Sequence, residues 1–570
     1  MDRHRTQERQ VARVAEATAR SDDSAGPLKN PIGRRYLSEL NTFEIPQRLT
    51  DVLVIGSGIA GLVAAIVASR SGKVLVVTKG ELDATATNMA QGGIAIANGP
   101  GDSSEEHARD TIRTGHGLSE EEVVRTICRG GVERQPDLEE WGVRFDRKGD
   151  GFDRHLEGGH SRARVLHVYG DQSGRYIQKA LLDYVSSLSN VKLLPRHFVV
   201  DLISRRHGGG CIGALLMDEH KGKEIIWARK TVLATGGAGQ IFRETTNPVT
   251  ASGDGLAMAF RAGAMLTDLE FVQFHPTTLY VAGAIRALIS EAARGEGAIL
   301  ETKDGRRFMT DYDPAGELAP RDIVSRSIVS ELKKTGDTCV YLDMTKLNID
   351  VKQRFPQIAE LCSMFAIDIS RDRIPVRPSA HYFIGGIKTN LNGATSAPNL
   401  YAVGECACLG FHGTNRLASN SLLEGLVMGW RAGEAIGREL ASDNGDFSSR
   451  AIEFRIIDAP KPPIILSDVE NSLRALMWRA MGIERDGEVL HEALENIRFW
   501  RQYIERMEFD APDGWRLQNM MLVARLMLVS ALARTESRGV HYRTDFPEQD
   551  DANWKRHTEI IGVPEEKDEG

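Results

Sequence analysis

The clearest pattern along the chain is a short apolar run, then a cluster of glycines, then a longer apolar stretch of helical spacing. Asp51-Val-Leu-Val-Ile55 is typical of a strand buried on both faces, and the Ala-rich segment after Gly61 continues to Ser71 as a helix. Lys73-Val-Leu-Val-Val-Thr78 supplies a second buried strand. The order strand, turn, helix, strand predicts a βαβ unit, and its right-handed crossover makes the two strands parallel.

The same pattern of a buried strand followed by glycine returns twice, far along the chain. Thr231-Val-Leu-Ala-Thr-Gly-Gly237 and Leu400-Tyr-Ala-Val-Gly-Glu405 both predict strands that end at a glycine turn. We therefore expect distant segments to complete one parallel sheet, with another unit inserted between about 270 and 380. Beyond about residue 450, apolar residues recur at helical spacing over 467–481, 487–508 and 515–534, which predicts a helical C-terminal domain.

Residues 1–50 lack a sustained apolar pattern. They mix acidic and basic residues, and Gly26, Pro27, Pro31 and Pro46 interrupt any regular element, so we expect a tail or an arm docked on the surface. The first 25 residues contain no apolar core of a secretory signal, and no apolar stretch approaches the ~20 residues of a membrane helix. The sequence thus predicts a cytoplasmic protein without a membrane span.

Composition excludes several classes of function. The chain has 570 residues, of which 41% are hydrophobic, enough for several domains of ~100–200 residues. Its net charge of -8 at pH 7 gives no overall attraction for nucleic acid, so no nucleic-acid partner is expected. Six cysteines are too few for a disulfide framework, and Cys406 and Cys408 have no matching pair, so no metal site is expected.

Gly56-Ser-Gly-Ile-Ala-Gly61 follows the first strand and opens the helix, which is the setting of a dinucleotide-binding turn. Gly56 allows the tight turn, Gly58 lets a pyrophosphate approach the backbone, and Gly61 lets the helix lie close to the strand. The phosphates would then face the positive N-terminus of the helix. The acid that would hold a ribose is missing, because the second strand ends in Thr78-Lys79, and this disfavours a simple NAD dehydrogenase.

Two further features favour FAD. Glu405 closes a strand, where a carboxylate can bind the ribityl hydroxyls of the flavin. Ser421 and Leu422 open an Ala-, Gly- and Leu-rich helix, whose N-terminus would stabilise negative charge on the reduced ring. The alternative is that Ser421 is an ordinary helix cap, but the βαβ unit in the same chain favours the flavin.

Four basic residues lie scattered along the sequence in distinctive contexts: His275, Arg321, His381 and Arg416. Each alone is more often a core histidine or a surface arginine. If they converge, they form a set of cations that receives a dianion, because arginine binds carboxylates with two parallel hydrogen bonds.

Several motifs together resemble the flavoproteins of the fumarate reductase/succinate dehydrogenase family over about residues 51–550. The motifs are Gly56-Ser-Gly-Ile-Ala-Gly61, Ala90-Gln-Gly-Gly93, Ser252-Gly-Asp-Gly255, Phe274-His-Pro-Thr277, Arg294-Gly-Glu-Gly297, Arg321-Asp322, His381-Tyr382, Gly385-Gly386, Asn415-Arg-Leu-Ala-Ser-Asn-Ser-Leu422 and Glu536-Ser-Arg-Gly539. The resemblance implies an α/β fold with a Rossmann-like FAD-binding domain, an inserted α+β capping domain and a C-terminal helical domain.

The resemblance also implies domain boundaries and cofactor contacts. The expected boundaries are 1–50 for an N-terminal extension, 51–268 and 383–450 for the two parts of the FAD-binding domain, 269–382 for the capping domain and 451–570 for the C-terminal helical domain and tail. The expected cofactor-binding residues are Gly56, Ser57, Gly58, Ile59, Ala60, Gly61, Lys79, Ala86, Thr87, Asn88, Met89, Ala90, Gln91, Gly92, Gly93, Asp254, Glu405, Ser421 and Leu422.

Two positions distinguish between members of that family. Members that hold the flavin covalently carry a histidine where this chain has Ala86, so the resemblance implies non-covalent FAD. Respiratory dicarboxylate enzymes carry an aromatic residue where this chain has Glu157, in Leu156-Glu-Gly-Gly-His160. An acid suits a substrate that brings an ammonium group, and the alternative is a solvated loop glutamate.

The resemblance therefore implies oxidation of L-aspartate, among four-carbon dicarboxylates, to iminoaspartate by hydride transfer to flavin N5. The product would supply quinolinate synthase in NAD biosynthesis, and oxygen or fumarate would reoxidise the flavin. His275, His381 and Arg416 are expected to hold the carboxylates, and Ser290, where the family usually has threonine, offers a hydroxyl. Arg321 occupies the family's proton-transfer position, but a guanidinium is very hard to deprotonate. The alternative is an electrostatic clamp, with Glu157 or solvent taking the ammonium proton.

Three other functions compete with this interpretation. A fumarate reductase or succinate dehydrogenase flavoprotein subunit, which needs an iron–sulfur partner, is disfavoured by Ala86 and Glu157. A flavin-dependent RNA-modification protein is disfavoured by the acidic net charge. A non-catalytic FAD-bound scaffold would leave the four basic residues without a purpose.

Overall fold

The computed structural model describes residues 26–204, 210–284, 286–443, 445, 447–456 and 463–563. The first 25 residues of the expected N-terminal extension and the end of the expected tail lie outside the described residues. The described chain forms a central sheet, a smaller antiparallel sheet inserted into the sequence of the first, and a group of C-terminal helices.

A seven-stranded sheet lies at the centre of the FAD-binding region. Its strands follow the order Val191–Leu194, Val74–Val77, Gln47–Ile55, Lys223–Leu233, Cys211–Asp218 and His197–Ser204, with Leu400–Ala402 also paired to Lys223–Leu233. Val54 lies opposite Val76 in a parallel pair, and Val232 pairs in parallel with both Val54 and Tyr401. These pairings confirm the prediction that distant segments complete the sheet. The sheet is not wholly parallel, because Cys211–Asp218 pairs antiparallel with both Lys223–Leu233 and His197–Ser204.

The helix of the βαβ unit, Ile59–Ala68, is buried along its whole length because a second helix covers it. That second helix, Asn420–Ser442, lies in close contact with Ile59–Ala68, since a Cβ at Gly429 would lie 2.6 Å from the carbonyl oxygen of Ala60. Glycine is therefore required for the close approach of the two helices. Both helices begin at the edge of one cavity.

The inserted unit begins and ends at neighbouring antiparallel strands, Leu266–Thr267 and Gly386–Lys388. Between them lies a four-stranded antiparallel sheet in the order Val272–Leu279, Ile374–Phe383, Val340–Asp343 and Ile299–Glu301. Its helices are Glu291–Gly295, Arg321–Thr335, Val351–Arg354 and Pro356–Ser363. The unit has its own apolar core, which confirms the prediction of an inserted α+β unit.

Part of the expected N-terminal extension is paired into sheets. Leu28–Pro31 pairs in parallel with Glu559–Val563, at the edge of a five-stranded sheet that also contains Leu266–Thr267, Gly386–Lys388 and Ala407–Cys408. The first strand of the central sheet begins at Gln47, so the expected boundary at residue 50 falls inside a strand. Residues 47–49 are at least partly exposed and do not belong to the apolar run from which the strand was predicted.

Three long helices, Leu466–Ala480, Gly487–Ile504 and Pro512–Ala533, make up the C-terminal helical region. Among the described residues, Pro512–Ala533 is the one helix long and apolar enough to cross a membrane by length and composition. However, 78% of its apolar window is buried inside the protein. The helix packs against Gly487–Ile504 and Asp254–Arg261, as a core helix does.

The remaining elements connect these units. The other helices are Ser104–Thr114, Glu121–Glu140, Ser173–Ser187, Asp254–Arg261 and Asp551–Trp554, and the 3-10 turns are Gly239–Ile241, Met309–Asp311, Gly316–Leu318 and Gly404–Cys406. Two-residue strands pair Leu40–Asn41 with Glu453–Phe454, Val165–Leu166 with both Ile94–Ala95 and Arg154–His155, and Arg147–Lys148 with Gly151–Phe152.

Candidate active site

One large cavity opens between the central sheet, the inserted unit and the helix Asn420–Ser442. Its volume is about 1560 Å³. Every residue that the sequence predicted to bind cofactor or substrate lines this cavity, with the exception of Gly61. Gly61 lies under the glycine turn, where a Cβ would be 2.1 Å from the Gly56 carbonyl oxygen. Its role is therefore close packing of the helix rather than contact with a ligand.

The glycine turn shapes one end of the cavity. Gly56 has a φ of 117°, and a Cβ there would lie 2.1 Å from the carbonyl oxygen of Ala234, so glycine is needed. The turn leads into the N-terminus of Ile59–Ala68, whose positive end meets the cavity. Thr87, from the predicted loop 86–93, accepts a hydrogen bond from the Ile59 amide at 3.1 Å. This end is suited to receive phosphates.

A second helix N-terminus meets the cavity at Asn420–Ser442. Its N-cap residue, Ser419, has a φ of 58° and makes no side-chain cap. The Ser419 hydroxyl donates to Glu157. Ser421 lies inside the helix rather than at its N-cap, so the alternative of Ser421 as an ordinary helix cap is wrong. Its hydroxyl accepts a hydrogen bond from Arg416 Nη1 at 3.4 Å. A helix N-terminus without a capping side chain is suited to bind negative charge.

Three polar side chains, Glu405, Gln91 and Thr235, also line the cavity. Glu405 Oε1 accepts a hydrogen bond from the Phe383 amide at 2.9 Å, and burial raises the pKa of Glu405 to about 7. Gln91 Oε1 and Thr235 Oγ1 are buried without a hydrogen-bond partner among the described residues. Together with the glycine turn and the two helix N-termini, these donors and acceptors fit a flavin dinucleotide.

Lys79 and Asp254, both predicted to bind the cofactor, contact each other at the cavity wall. Lys79 Nζ donates to the Asp254 carboxylate and, at 2.6 Å, to Ser252 Oγ. Asn519 Nδ2 donates to Asp254 Oδ1 at 2.7 Å. Burial opposes ionisation of the carboxyl group, but the Lys79 ammonium lowers the pKa of Asp254 overall. Direct contact of either residue with FAD stays a prediction.

Five of the predicted residues line the cavity close to one another, and the region they form is called here the substrate end: Glu157, His275, Arg321, His381 and Arg416. Arg321 Nε donates to Glu291 Oε2 at 2.6 Å and Nη1 donates to Gln273 Oε1 at 3.0 Å. Arg416 makes no ion pair with the described residues, and its Nε is buried without a hydrogen-bond partner among them. Burial and the nearby Arg321 charge lower the pKa of Arg416 to about 10, so it remains a cation at neutral pH.

The two histidines of the substrate end are neutral. Their ring centroids lie 5.1 Å apart in an edge-to-face arrangement. Burial, and then the positive charge of Arg321, lowers the pKa of both His275 and His381 well below the usual value. The prediction of four cations is therefore wrong. Desolvation keeps both rings neutral, and this desolvation is not visible in the sequence. The site combines two guanidinium groups with two imidazoles that offer hydrogen bonds without charge.

Glu157 is 2% exposed, so the alternative of a solvated loop glutamate is wrong. Its Oε2 accepts a hydrogen bond from Ser419 Oγ at 2.7 Å. Burial, together with the nearby negative charge of Glu291, raises the pKa of Glu157. A cation placed beside this carboxyl group would favour its ionised form.

Ser290 lines the cavity and also begins a helix of the inserted unit. Its Oγ accepts a hydrogen bond from the Ala292 amide at 3.3 Å, which caps Glu291–Gly295. A hydroxyl that accepts one bond keeps its own hydrogen to donate. Donation from Ser290 to a substrate carboxylate stays a prediction.

Comparison with known proteins identifies the family. Residues 51–422 match the family model described as FAD binding domain, and residues 470–569 match the one described as Fumarate reductase flavoprotein C-term. The L-aspartate oxidase of Nostoc sp. is 41% identical over 556 residues, which is 92% of this chain and 95% of that protein. L-aspartate oxidase 1 of Ralstonia nicotianae is 42% identical over 511 residues, 87% of this chain and 96% of that protein. The chain belongs to the L-aspartate oxidase family.

Solved structures similar to this L-aspartate oxidase family member confirm the predicted fold class. A mutant of E. coli quinol fumarate reductase has a TM-score of 0.83 and 31% sequence identity, covering 90% of this chain and 94% of that chain. Mycobacterium smegmatis Sdh1 in complex with UQ1 has a TM-score of 0.77 and 32% identity, covering 92% of this chain and 95% of that chain.

Two residues at the substrate end of this L-aspartate oxidase family member were missed by the sequence analysis. Gln273 joins both arginines: besides accepting from Arg321, its Nε2 donates to the Arg416 carbonyl oxygen at 2.8 Å. Glu291 is the acid that pairs with Arg321. The available signal was a polar residue inside an apolar run, since Gln273 lies between Val272 and Phe274 on a buried strand.

Proposed function

We propose that this protein oxidises L-aspartate to iminoaspartate with bound FAD, the first step of de novo NAD biosynthesis through quinolinate. The relatives named L-aspartate oxidase support the reaction. One observation in the cavity carries the choice of substrate: a buried acid, Glu157, lies at the same end as two guanidinium groups. A dicarboxylate requires the guanidinium groups, and an amino group requires the acid.

The residues that would hold FAD are the glycine turn, the loop 86–93, Glu405 and the N-terminus of Asn420–Ser442. When bound, the flavin supplies the acceptor for the hydride of the substrate α-carbon. Ala86 offers no nucleophilic atom, which supports non-covalent binding. Acid precipitation is expected to release the flavin into the supernatant, and flavin that stays with the precipitate would contradict this assignment.

Arg416, His275 and His381 would bind the substrate carboxylates. The Arg416 Nε and the His275 Nε2 are buried and lack partners among the described residues. The Arg416 Nε can donate to an incoming anion, and the His275 Nε2 can do so in the tautomer whose Nδ1 accepts from the Thr277 amide. A guanidinium fork matches the two oxygens of a carboxylate. The neutral imidazoles orient the substrate by hydrogen bonds, while the arginines offset its charge.

Glu157 would recognise the ammonium group and accept one of its protons. Oxidation of the amine to the imine removes a hydride from the α-carbon and a proton from nitrogen. The carboxyl group of Glu157 is suited to hold that proton, because its pKa is already raised by burial and by Glu291. Solvent is the other acceptor that the cavity admits.

Arg321 would act as an electrostatic clamp rather than as a base. A guanidinium remains protonated in proteins. Glu291 and Gln273 fix its orientation by accepting hydrogen bonds at 2.6 Å and 3.0 Å. It would therefore stabilise negative charge on the substrate without exchanging a proton.

The deciding experiment is anaerobic mixing of the FAD-loaded protein with L-aspartate, D-aspartate or succinate while the flavin absorbance is recorded. L-Aspartate is expected to bleach the flavin, whereas D-aspartate presents its α-hydrogen to the wrong side and succinate lacks the ammonium group. Bleaching by succinate at the rate of L-aspartate would contradict the proposal and favour a succinate dehydrogenase subunit.

The proposal extends to the acceptor and the cellular setting. Oxygen or fumarate would reoxidise the flavin, and fumarate fits because it presents the same two carboxylates as aspartate. We place the reaction in the cytoplasm and couple its product to quinolinate synthase, since an imine is short-lived in water. Iminoaspartate trapped more efficiently by quinolinate synthase added during turnover than after it would support the coupling.

A further inference from the structure

Arg416 is a buried cation without an acidic partner among the described residues. It is buried, no carboxylate among the described residues pairs with it, and its hydrogen bond to Ser421 Oγ is long at 3.4 Å. Arg321, the other arginine of the substrate end, donates from two of its nitrogens to Glu291 and Gln273. The guanidinium of Arg416 is therefore not positioned by a carboxylate, and its N–H donors stay available for a ligand.

The ring of Tyr382 meets this requirement. The Arg416 Cζ lies 4.5 Å from the ring centroid, within the range of a cation–π interaction. The face of an aromatic ring attracts a cation but takes up none of the in-plane N–H donors that a carboxylate would engage.

The Tyr382 ring is fixed by contacts of its hydroxyl group. Tyr382 Oη donates to Glu424 Oε2 at 2.8 Å, and His412 Nε2 lies 3.2 Å from Oη and 3.1 Å from the same Glu424 oxygen. Burial raises the pKa of Tyr382 well above its usual value, so the hydroxyl stays a donor. Tyr382 belongs to strand Ile374–Phe383 and Glu424 to helix Asn420–Ser442, so the ring is fixed between two elements.

We propose that Tyr382 is a positioning residue for substrate binding: its ring carries the Arg416 guanidinium and thereby leaves the guanidinium donors free for a substrate carboxylate. Glu424 and His412 fix the ring through the hydroxyl. This inference rests on the proposed function only in taking a dicarboxylate as the ligand of Arg416.

The test uses the full-length, FAD-loaded protein with Tyr382→Leu and Tyr382→Phe. Succinate binding is measured by titration calorimetry, and kcat and KM are measured for L-aspartate. Tyr382→Leu is expected to weaken succinate binding and raise KM by about tenfold, with kcat changed by less than about threefold. Tyr382→Phe keeps the ring and is expected to stay within about threefold of the wild type in both.

A fluorine series separates the ring's electrostatics from its shape. Phenylalanine and 3,4,5-trifluorophenylalanine installed at position 382 fill nearly the same volume, but fluorine withdraws the negative charge from the ring face. The trifluoro ring is expected to bind succinate several-fold more weakly than phenylalanine does. This comparison remains decisive if Tyr382→Leu fails to fold, which FAD content and thermal melting will reveal.

The matched control is Tyr36→Leu, because Arg35 lies over the Tyr36 ring at the same 4.5 Å, away from the cavity. It is expected to leave succinate binding unchanged. The inference is overturned by succinate binding that is independent of the ring, by a Tyr382→Phe loss equal to that of Tyr382→Leu, or by an equal loss in the control.

The experiment also separates this inference from the proposed function. Ring-dependent succinate binding in a protein that leaves L-aspartate unoxidised would remove the proposed function alone. Oxidation of L-aspartate with ring-independent binding and KM would remove the role of Tyr382 alone.

Discussion

The substrate end of the cavity and the interior near the C-terminus both bury arginines beside carboxylates, but they use the donors of those arginines differently. The second region, called here the C-terminal ionic network, contains Asp268, Glu270, Arg534, Glu536 and Arg538. In it, the Arg534 nitrogens donate to Glu270 at 2.6 Å, to Glu536 at 2.9 Å and to Thr558 at 3.0 Å. The substrate end leaves the Nε of Arg416 and the Nε2 of His275 without partners among the described residues.

The difference separates charges that stabilise the fold from charges reserved for a ligand. A buried guanidinium whose donors are all engaged offsets part of its desolvation cost within the protein, and its removal leaves the paired carboxylates buried without a cation. One with free donors recovers that cost only when an anion arrives, so the fold gives up stability at the binding site. The following predictions test this distinction by changing one region at a time.

The largest effect is expected from breaking the C-terminal ionic network. Arg534→Met leaves Glu270 buried and without its cation, so the free energy of unfolding should fall by about 3–5 kcal/mol. Urea denaturation measures it. The control is Arg498→Met, which removes an exposed pair with Glu495 and should cost at most about 1 kcal/mol. Equal losses in the two variants would show that the network contributes no more than a surface pair.

The reverse result is expected at the substrate end. Arg416→Met removes a buried charge that has no ion-pair partner among the described residues, so the free energy of unfolding should stay within about 1 kcal/mol of the wild type or increase. Succinate binding should weaken by about a hundredfold, because a charge-assisted bidentate contact is lost. A destabilisation comparable to that of Arg534→Met would break the comparison, since it would show that Arg416 is needed by the fold.

The sequence predicted the parts of this architecture that depend on local pattern. The apolar runs and glycine spacing predict the parallel strands around Gln47–Ile55 and the helix that follows. The start of that strand was missed because its first residues are polar and partly exposed. Charge state was also missed, because the sequence context of the two histidines does not reveal that His275 is fully buried and His381 half-buried, or that both lie near Arg321.

Contacts between distant residues account for the rest. Glu157 and Ser419 lie 262 positions apart, yet their hydrogen bond joins the predicted acid to the helix N-terminus. Tyr382 was visible as part of a motif, but its contact with Arg416 depends on how a strand of the inserted unit meets Asn420–Ser442. Such pairings arise from tertiary packing, which a single sequence does not encode in its local pattern.

At the substrate end, Glu157 is the acid expected to distinguish L-aspartate from dicarboxylates without an amino group. Glu157→Gln keeps the shape and the contact with Ser419 but removes the negative charge that an ammonium needs. The kcat/KM for L-aspartate should fall by about ten- to a hundredfold, while fumarate reduction by the reduced flavin should change by less than about threefold. Both rates are measured anaerobically, with the exposed Glu81→Gln as the control. Equal losses in the two reactions would exclude Glu157 as the residue that recognises the ammonium group.

The C-terminal ionic network is also expected to respond to pH through His557. His557 Nδ1 lies 2.6 Å from Asp268 and Nε2 lies 3.3 Å from Glu120, and these acids raise the pKa of His557 to about 9. Because the folded pKa exceeds the unfolded value of about 6.5, the stabilisation is complete below pH 6.5 and is lost as pH rises through 9. The free energy of unfolding of the wild type should therefore fall relative to His557→Gln across this window, by at most about 1.4 kcal/mol per pH unit. Urea denaturation of both proteins at pH 6.5, 8 and 9.5 measures the difference, and parallel pH curves would show that the histidine carries no charge-dependent stability.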